Sequence, residues 1–237
     1  MPTTLLAVDT ATEICSVALA RGEQVTGRAE AVGQRHSERV LPMVHDLLSE
    51  RGLRLQDCDA VAFGAGPGAF TGLRIACAIA QGLAYGIGRP VVAVGNLAAL
   101  ALAASGAAPG VRRVLAAIDA RMQEAYWAVY SIDGDRVREV SAPALAPAGE
   151  LADICRSHAP DLVAGSALLA FPEAASRLSC ALAPEARASA STIVRLAATI
   201  LAEGGAVAAD EARPVYVRDR VALTIDERRP VAGGGRR

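Results

Sequence analysis

One pattern in this chain occurs twice, and it limits the fold more than any other feature. Residues 5–8 form an apolar run ending in Asp9; the turn Thr10-Ala11-Thr12-Glu13 follows, then two apolar runs at 14–20 and 24–31 joined at Arg21-Gly22-Glu23. About 110 residues later the order returns. Residues 113–118 end in Asp119, a turn leads to a run at 125–132, and Asp133-Gly134-Asp135 turns the chain into 136–142. Short apolar runs bounded by Gly and Asp turns predict strands. Recurrence of the whole unit predicts a duplicated α/β architecture, mixed sheets flanked by helices. The richest turn-forming stretch, Ser105-Gly106-Ala107-Ala108-Pro109-Gly110, places the division there. We therefore expect domains at 1–106 and 107–237, with a disordered tail at about 226–237, where the chain runs out in Gly and Arg.

Between the repeats, the spacing of Val40, Leu41, Val44, Leu47 and Leu48 predicts an amphipathic helix over 37–49, with Ser37 as N-cap and Pro42 inside it. A strand at 60–63 runs into Gly64, Ala65, Gly66, Pro67 and Gly68, and a helix follows over 71–85. Gly72, Ala76, Ala80 and Ala84 fall four apart on that helix, and Ile75, Ile79 and Leu83 form the next ridge. A helix apolar nearly all round has no face for water. Small residues four apart allow close approach of another element, either the chain's own sheet or a helix of a second chain. A strand at 91–94, a helix capped by Asn96, helices at 147–156 and 191–203, a strand at 161–165 and an extended piece at 214–218 complete the expectation.

Composition excludes several chemistries. All 24 basic residues are arginine, so no lysine nucleophile or phosphate-loop lysine exists. The net charge of −1 supplies no broad basic field for nucleic acid. The five cysteines lack the C-x-x-C spacing of zinc sites, and Cys15 and Cys77 lie in apolar runs as small core residues. The histidines, His36, His45 and His158, never fall four apart, so no helical histidine pair can hold a metal. The absence of a basic leader before the first strand, and the interruption of apolar stretches by Gln81, Arg89 and Pro90, lead us to expect no signal peptide, no membrane span and a cytoplasmic protein.

Several stretches together resemble the TsaB (YeaZ) family, which serves threonylcarbamoyl modification of tRNA. They are Ala7-Val8-Asp9-Thr10-Ala11-Thr12-Glu13 with Cys15-Ser16-Val17-Ala18-Leu19, Arg35-His36-Ser37, Gly66-Pro67-Gly68 with Phe70-Thr71-Gly72-Leu73-Arg74-Ile75, Ala117-Ile118-Asp119-Ala120-Arg121-Met122, and Pro214-Val215-Tyr216-Val217-Arg218. The match runs from residue 5 to about 223 and is loose over 139–187; Ala69 stands where relatives commonly carry Ser.

The resemblance implies a two-domain fold like actin, Hsp70 and hexokinase (the ASKHA fold), with Asp9 and Asp119 heading two phosphate loops. It implies a non-catalytic subunit that binds the metal-containing paralogue TsaD, is joined by the ATPase TsaE, forms a homodimer alone, and meets tRNA mainly through the complex. The group would pass from its adenylate to the adenosine 3′ of the anticodon. The expected interface is His36, Val40, Leu41, Val44, Thr71, Gly72, Ile75, Ala76, Ile79, Ala80 and Leu83. A nucleotide cleft would use Asp9, Thr10, Thr12, Asp119 and Arg121, taking ATP or ADP weakly. Against it, the first loop lacks glycine, Glu13 would repel phosphate, and Gly165-Ser166 is a remnant of the glycine pair that holds adenosine in this fold. The alternative is a self-sufficient ATPase or small-molecule kinase using Asp9 and Asp119. Asp119-Ala120-Arg121 can equally be an internal pair that orders a turn.

Overall fold

The computed structural model of the chain describes residues 2–218; the expected tail at 226–237 lies outside them. Two sheets form, and their topologies are the same. In the first, β1 (Thr4–Asp9) pairs antiparallel with β2 (Ile14–Arg21), which pairs with β3 (Gln24–Ala31). On its other edge β1 pairs parallel with β4 (Ala60–Gly66), and β4 with β5 (Val91–Gly95). In the second, β6 (Arg113–Asp119) takes the place of β1. It pairs antiparallel with β7 (Glu124–Asp133) and through it with β8 (Arg136–Pro147), and parallel with β9 (Leu162–Ala164), which pairs with β10 (Ala181–Ala183). The orders are β3-β2-β1-β4-β5 and β8-β7-β6-β9-β10. This is the duplicated arrangement expected from the two Asp-ended strands, and the fold that the resemblance implies.

Helices α1 (His36–Glu50) and α2 (Phe70–Ile87) cover one face of the first sheet. Helix α3 (Asn96–Gly106) lies between the sheets: Ala99 and Leu102 face the first, and Leu97, Leu100, Ala101 and Ala104 the second. The far face of the second sheet is covered by α4 (Leu151–His158), α5 (Ala167–Ala170) and α6 (Pro172–Ala175). Helix α7 (Ala190–Ala202) then crosses back, burying Ala190, Ile193, Val194, Leu196 and Ala197 against the first sheet. Val207 makes a two-way backbone bridge with Val91. Residues 190–212, assigned to the second half by their place in the sequence, are thus packed on the first sheet and its helices. The reason is geometric: the face of that sheet opposite α1 and α2 needs a cover, and α3 alone covers only part of it.

Two expected caps are placed differently. Ser37 lies inside the first turn of α1, because the Arg35 carbonyl already accepts the Arg39 amide at 3.2 Å. Asn96 does not cap α3; Gly95 precedes the helix, and the Asn96 side chain is used elsewhere. The expected helix over 147–156 begins as a single tight turn, Ala148–Glu150, before α4. Strand β10 and the short α5 and α6 went unseen in the sequence, being too short for a period to register.

Helix α2 deserves its length: 18 residues, apolar enough by composition to cross a bilayer, yet packed against the first sheet with only a third of its residues buried. Its buried residues are Gly72, Leu73, Ala76, Cys77, Ala80 and Ala84. The small-residue ridge read from the sequence therefore faces the chain's own sheet.

Candidate functional site: an outer helix face and an interdomain cleft

The inner side of α2 explains the glycine turn before it. A Cβ at Gly72 would sit 1.9 Å from the Thr10 carbonyl oxygen, so only glycine lets α2 lie on the loop after β1. The Thr10 hydroxyl donates to the Gly72 carbonyl at 2.6 Å and fixes that contact. His36, also buried, reaches the same loop. Its Nε2 lies 2.8 Å from the Thr12 carbonyl, which can only accept, so the ring nitrogen carries the proton. Of the expected interface residues, His36, Val40, Val44, Gly72, Ala76 and Ala80 are thus interior groups of this chain. His36 and Gly72 pack on the loop after β1, and Val40, Val44, Ala76 and Ala80 lie in the core beneath the first sheet.

The other expected residues, Leu41, Thr71, Ile75, Ile79 and Leu83, lie on or beside the outward face. Leu41 on α1 is 45% exposed. On α2, Thr71, Ala78, Gly82, Tyr85 and Gly86 are exposed, with Ile75, Ile79 and Leu83 half-buried beside them. Tyr85 is 78% exposed. Ala78, Gly82 and Gly86 are themselves four apart, a second small-residue ridge on the opposite side of the helix. Nothing lies within 4 Å of a Cβ built at Gly82 or Gly86. A glycine inside a helix costs about 1 kcal/mol relative to alanine. Among the described residues no contact accounts for that cost at these two positions.

The second feature is a cleft of about 810 Å³ between the sheets. Thr12, Glu13, the Pro67-Gly68-Ala69-Phe70 turn, Asp119, Arg121, Ser166 and Tyr216 contribute to its walls. Thr12, Asp119 and Arg121 of the expected nucleotide residues are brought together here; Asp9 and Thr10 are not among the lining residues. Asp9 is only 1% exposed. Its Oδ1 accepts from Asn96 Nδ2 at 3.1 Å and from the Ala11 amide at 3.3 Å, and Asn96 Oδ1 accepts the Gly66 amide at 2.7 Å. A Cβ at Gly64 would fall 2.3 Å from Asp9 Oδ1. Asp9 is therefore a strut beneath the Gly66-Pro67 turn, and Asn96, read from the sequence as a mere cap, is its partner. An acidic strand end facing an Asn across a parallel neighbour was the signal available.

Burial pushes the Asp9 carboxyl above its ordinary value of 3.8, and the hydrogen bonds from Asn96 and Ala11 only partly oppose this. With the acid favoured in the folded state, the folded chain holds more protons than the unfolded one above pH 3.8. Its contribution to stability is present at low pH and is lost as pH rises through the raised value. Asp9→Asn keeps both accepted bonds without the charge. Its melting temperature relative to the parent should rise between pH 4 and pH 8; a pH-independent difference would mean that Asp9 is not strained in its ionised form.

Asp119 behaves as a turn former. Its carboxylate accepts the Arg121 amide at 2.8 Å and lies 3.2 Å from the Arg121 guanidinium, the internal pair weighed from the sequence. Arg121, Met122 and Gln123 all have left-handed backbones, with φ of 63°, 56° and 62°. Such a conformation costs roughly 1–2 kcal/mol per non-glycine residue, so this turn is held rather than relaxed. Gly165 is spent on packing: a Cβ there would meet the Ala117 carbonyl at 2.4 Å. Burial raises the Cys15 and Cys58 thiols to about 11, which removes them as nucleophiles. Among the described residues no three His, Cys, Asp or Glu groups converge as a metal site.

The family described as TsaD, tRNA N6-adenosine threonylcarbamoyltransferase, matches residues 28–222. The Escherichia coli tRNA threonylcarbamoyladenosine biosynthesis protein TsaB is 39% identical over 222 residues, which covers 92% of this chain and 96% of that one. The Haemophilus influenzae protein of the same name is 49% identical over 52% of each chain. The solved structure of YeaZ from Pseudomonas aeruginosa, 42% identical, superposes with a TM-score of 0.81 over 90% of this chain and 99% of that one.

Proposed function

The chain belongs to the TsaB (YeaZ) family, a branch of the wider family that includes the transferase TsaD, and from that membership we propose that it is a non-catalytic, activating subunit in tRNA threonylcarbamoyladenosine biosynthesis. It docks on TsaD through the outward faces of α1 and α2. The observation that carries this is the pair of exposed helix glycines, Gly82 and Gly86, with empty space above both. They lower helix stability for no gain within the chain, whereas a ridge of Ala78, Gly82 and Gly86 lets a second helix approach more closely than the usual ~8–10 Å. Leu41, Ile75, Ile79, Leu83 and Tyr85 supply the surrounding apolar area. A stable complex needs about 1,600 Å² of buried surface in total. In isolation the same face pairs two copies of this chain. TsaE joins the assembled pair, and tRNA is held chiefly by the complex.

A supporting role for this subunit accords with the sealed Asp9, which cannot reach a phosphate or its metal without dismantling the Asn96 contact. The subunit's work is then to hold TsaD in its active arrangement.

Gly82→Arg tests the interface. Replacing a helix glycine by a better helix former should leave the monomer as stable as the parent or more so, by up to about 1 kcal/mol. Co-purification with TsaD should fall by about 100-fold or more, since a charged side chain is driven between two helix axes. Wild-type affinity in this variant would remove the proposed face. Size-exclusion chromatography of the variant alone should show loss of the homodimer.

A further inference from the structure

After Val207 leaves the edge of the first sheet, the chain runs along α2 and then crosses the mouth of the cleft. The buried Ala212 carbonyl accepts from Gln81 Nε2 at 3.1 Å, and the Val215 amide donates to the Ala65 carbonyl at 2.8 Å. Gly66 has no room for a side chain there, because a Cβ would sit 2.4 Å from the Val215 carbonyl oxygen. The Tyr216 ring lies 5.5 Å from Phe70, and its hydroxyl accepts from Arg74 Nε at 3.1 Å. All these partners belong to the first domain. Two residues further on, Arg218 has crossed to the second. Its guanidinium donates to the Ala120 carbonyl at 3.1 Å and to the Glu124 carboxylate, lies 3.4 Å from Met122 Sδ, and faces the Tyr126 ring. Its side chain is only 12% exposed.

We propose that residues 212–218 form a latch across the interdomain cleft, with Arg218 as its catch on the 120–124 turn. Three observations support this. The segment bonds both domains within seven residues. Val215, Tyr216, Val217 and Arg218 provide one wall of the cleft, so access to the cleft on that side depends on where the segment lies. The turn it grips is the one with left-handed Arg121, Met122 and Gln123, and Arg218 ties together its two ends, Ala120 and Glu124. Among the described residues the domains are also joined by the covalent crossings at 107–112 and 184–189, by the packing of α3, by Val137 of β8 against the first core, and by the Arg195–Asp135 and Arg187–Glu13 pairs; residues 212–218 add a hold at the Tyr216 wall of the cleft. The planar guanidinium suits the role: Nη2 donates to both the Ala120 carbonyl and the Glu124 carboxylate while Nη1 points to Met122 Sδ, a fixed fan of donors that a lysine ammonium does not reproduce.

Hydrogen–deuterium exchange on the full chain tests the latch. In Arg218→Ala the peptides covering 118–126 and 212–217 should both exchange about tenfold faster or more, while peptides from β1 and α7 keep their rates. Arg218→Lys should give an intermediate value. Glu124→Gln reads the same contact from the other side and should also speed both segments. Unchanged exchange in 118–126, whether or not 212–217 loosens, would overturn the proposal, since the segment would then be an appended end with no hold on the second domain. Should Arg218→Ala fail to fold, Glu124→Gln decides alone by the same criterion. Binding of TsaD by α1 and α2 is expected to survive in these variants, so the outcome stands apart from that of Gly82→Arg.

Discussion

Ala76→Arg is expected to yield no folded protein. Ala76 has no exposed surface and sits on the ridge by which α2 contacts the first sheet, within a cluster that includes Val8, Val61 and Phe63. An arginine there must bury an unpaired charge or push the helix off its sheet. Either costs several kcal/mol, a large part of the roughly 5–15 kcal/mol that stabilises a typical domain. The measurement is the soluble fraction and the far-ultraviolet circular dichroism after refolding. A soluble variant melting with the parent would show that the ridge faces outward, as the sequence allowed. The contrast with Gly82→Arg, nearly on the opposite side of the same helix, separates packing within the chain from docking between chains.

Gly72→Ala should be the most damaging single-methyl addition among the helix glycines. The new Cβ would lie 1.9 Å from the Thr10 carbonyl oxygen and 2.9 Å from the Thr10 carbonyl carbon. Both are backbone atoms of the loop after β1, held in place by the Thr10 hydroxyl bond to Gly72 and the Asp9–Asn96 strut, so neither side yields cheaply. We expect a loss of about 3 kcal/mol or more, lowering the melting temperature by about 6–12 °C. Gly82→Ala, with open space at its Cβ, should move the other way by up to about 1 kcal/mol. Equal effects of the two substitutions would contradict the inward and outward assignments.

The comparison of these two glycines shows what periodicity can and cannot carry. Glycine and alanine every fourth residue was legible, and so was a helix with more apolar surface than one sheet can cover. Two such ridges exist, however, at 72-76-80-84 and at 78-82-86, and a sequence does not say which of them meets its own sheet. The expected interface drew on the inward ridge together with residues of the outward face. Leu41, Thr71, Ile75, Ile79 and Leu83 remain on or beside the outward face, while Val40, Val44, Gly72, Ala76 and Ala80 are core. The cleft was likewise half visible. Asp9 and Asp119 end equivalent strands, but one is sealed by Asn96 and the other lines the cavity.

By itself the sequence determined the duplicated strand order, because strand length, turn chemistry and the recurrence of Asp-ended β1 and β6 are local properties that repeat along the chain, and its motifs carried the resemblance to the family. It also ruled out lysine chemistry and a helical histidine pair, since both depend only on which residues are present and at what spacing. Only the tertiary structure decided the return of α7 to the first sheet, the direction in which each small ridge faces, the burial of Asp9 against Asn96, and the crossing of Arg218 to the second domain. These depend on contacts between residues as many as 174 positions apart, fixed by which faces remain uncovered once the two sheets have formed.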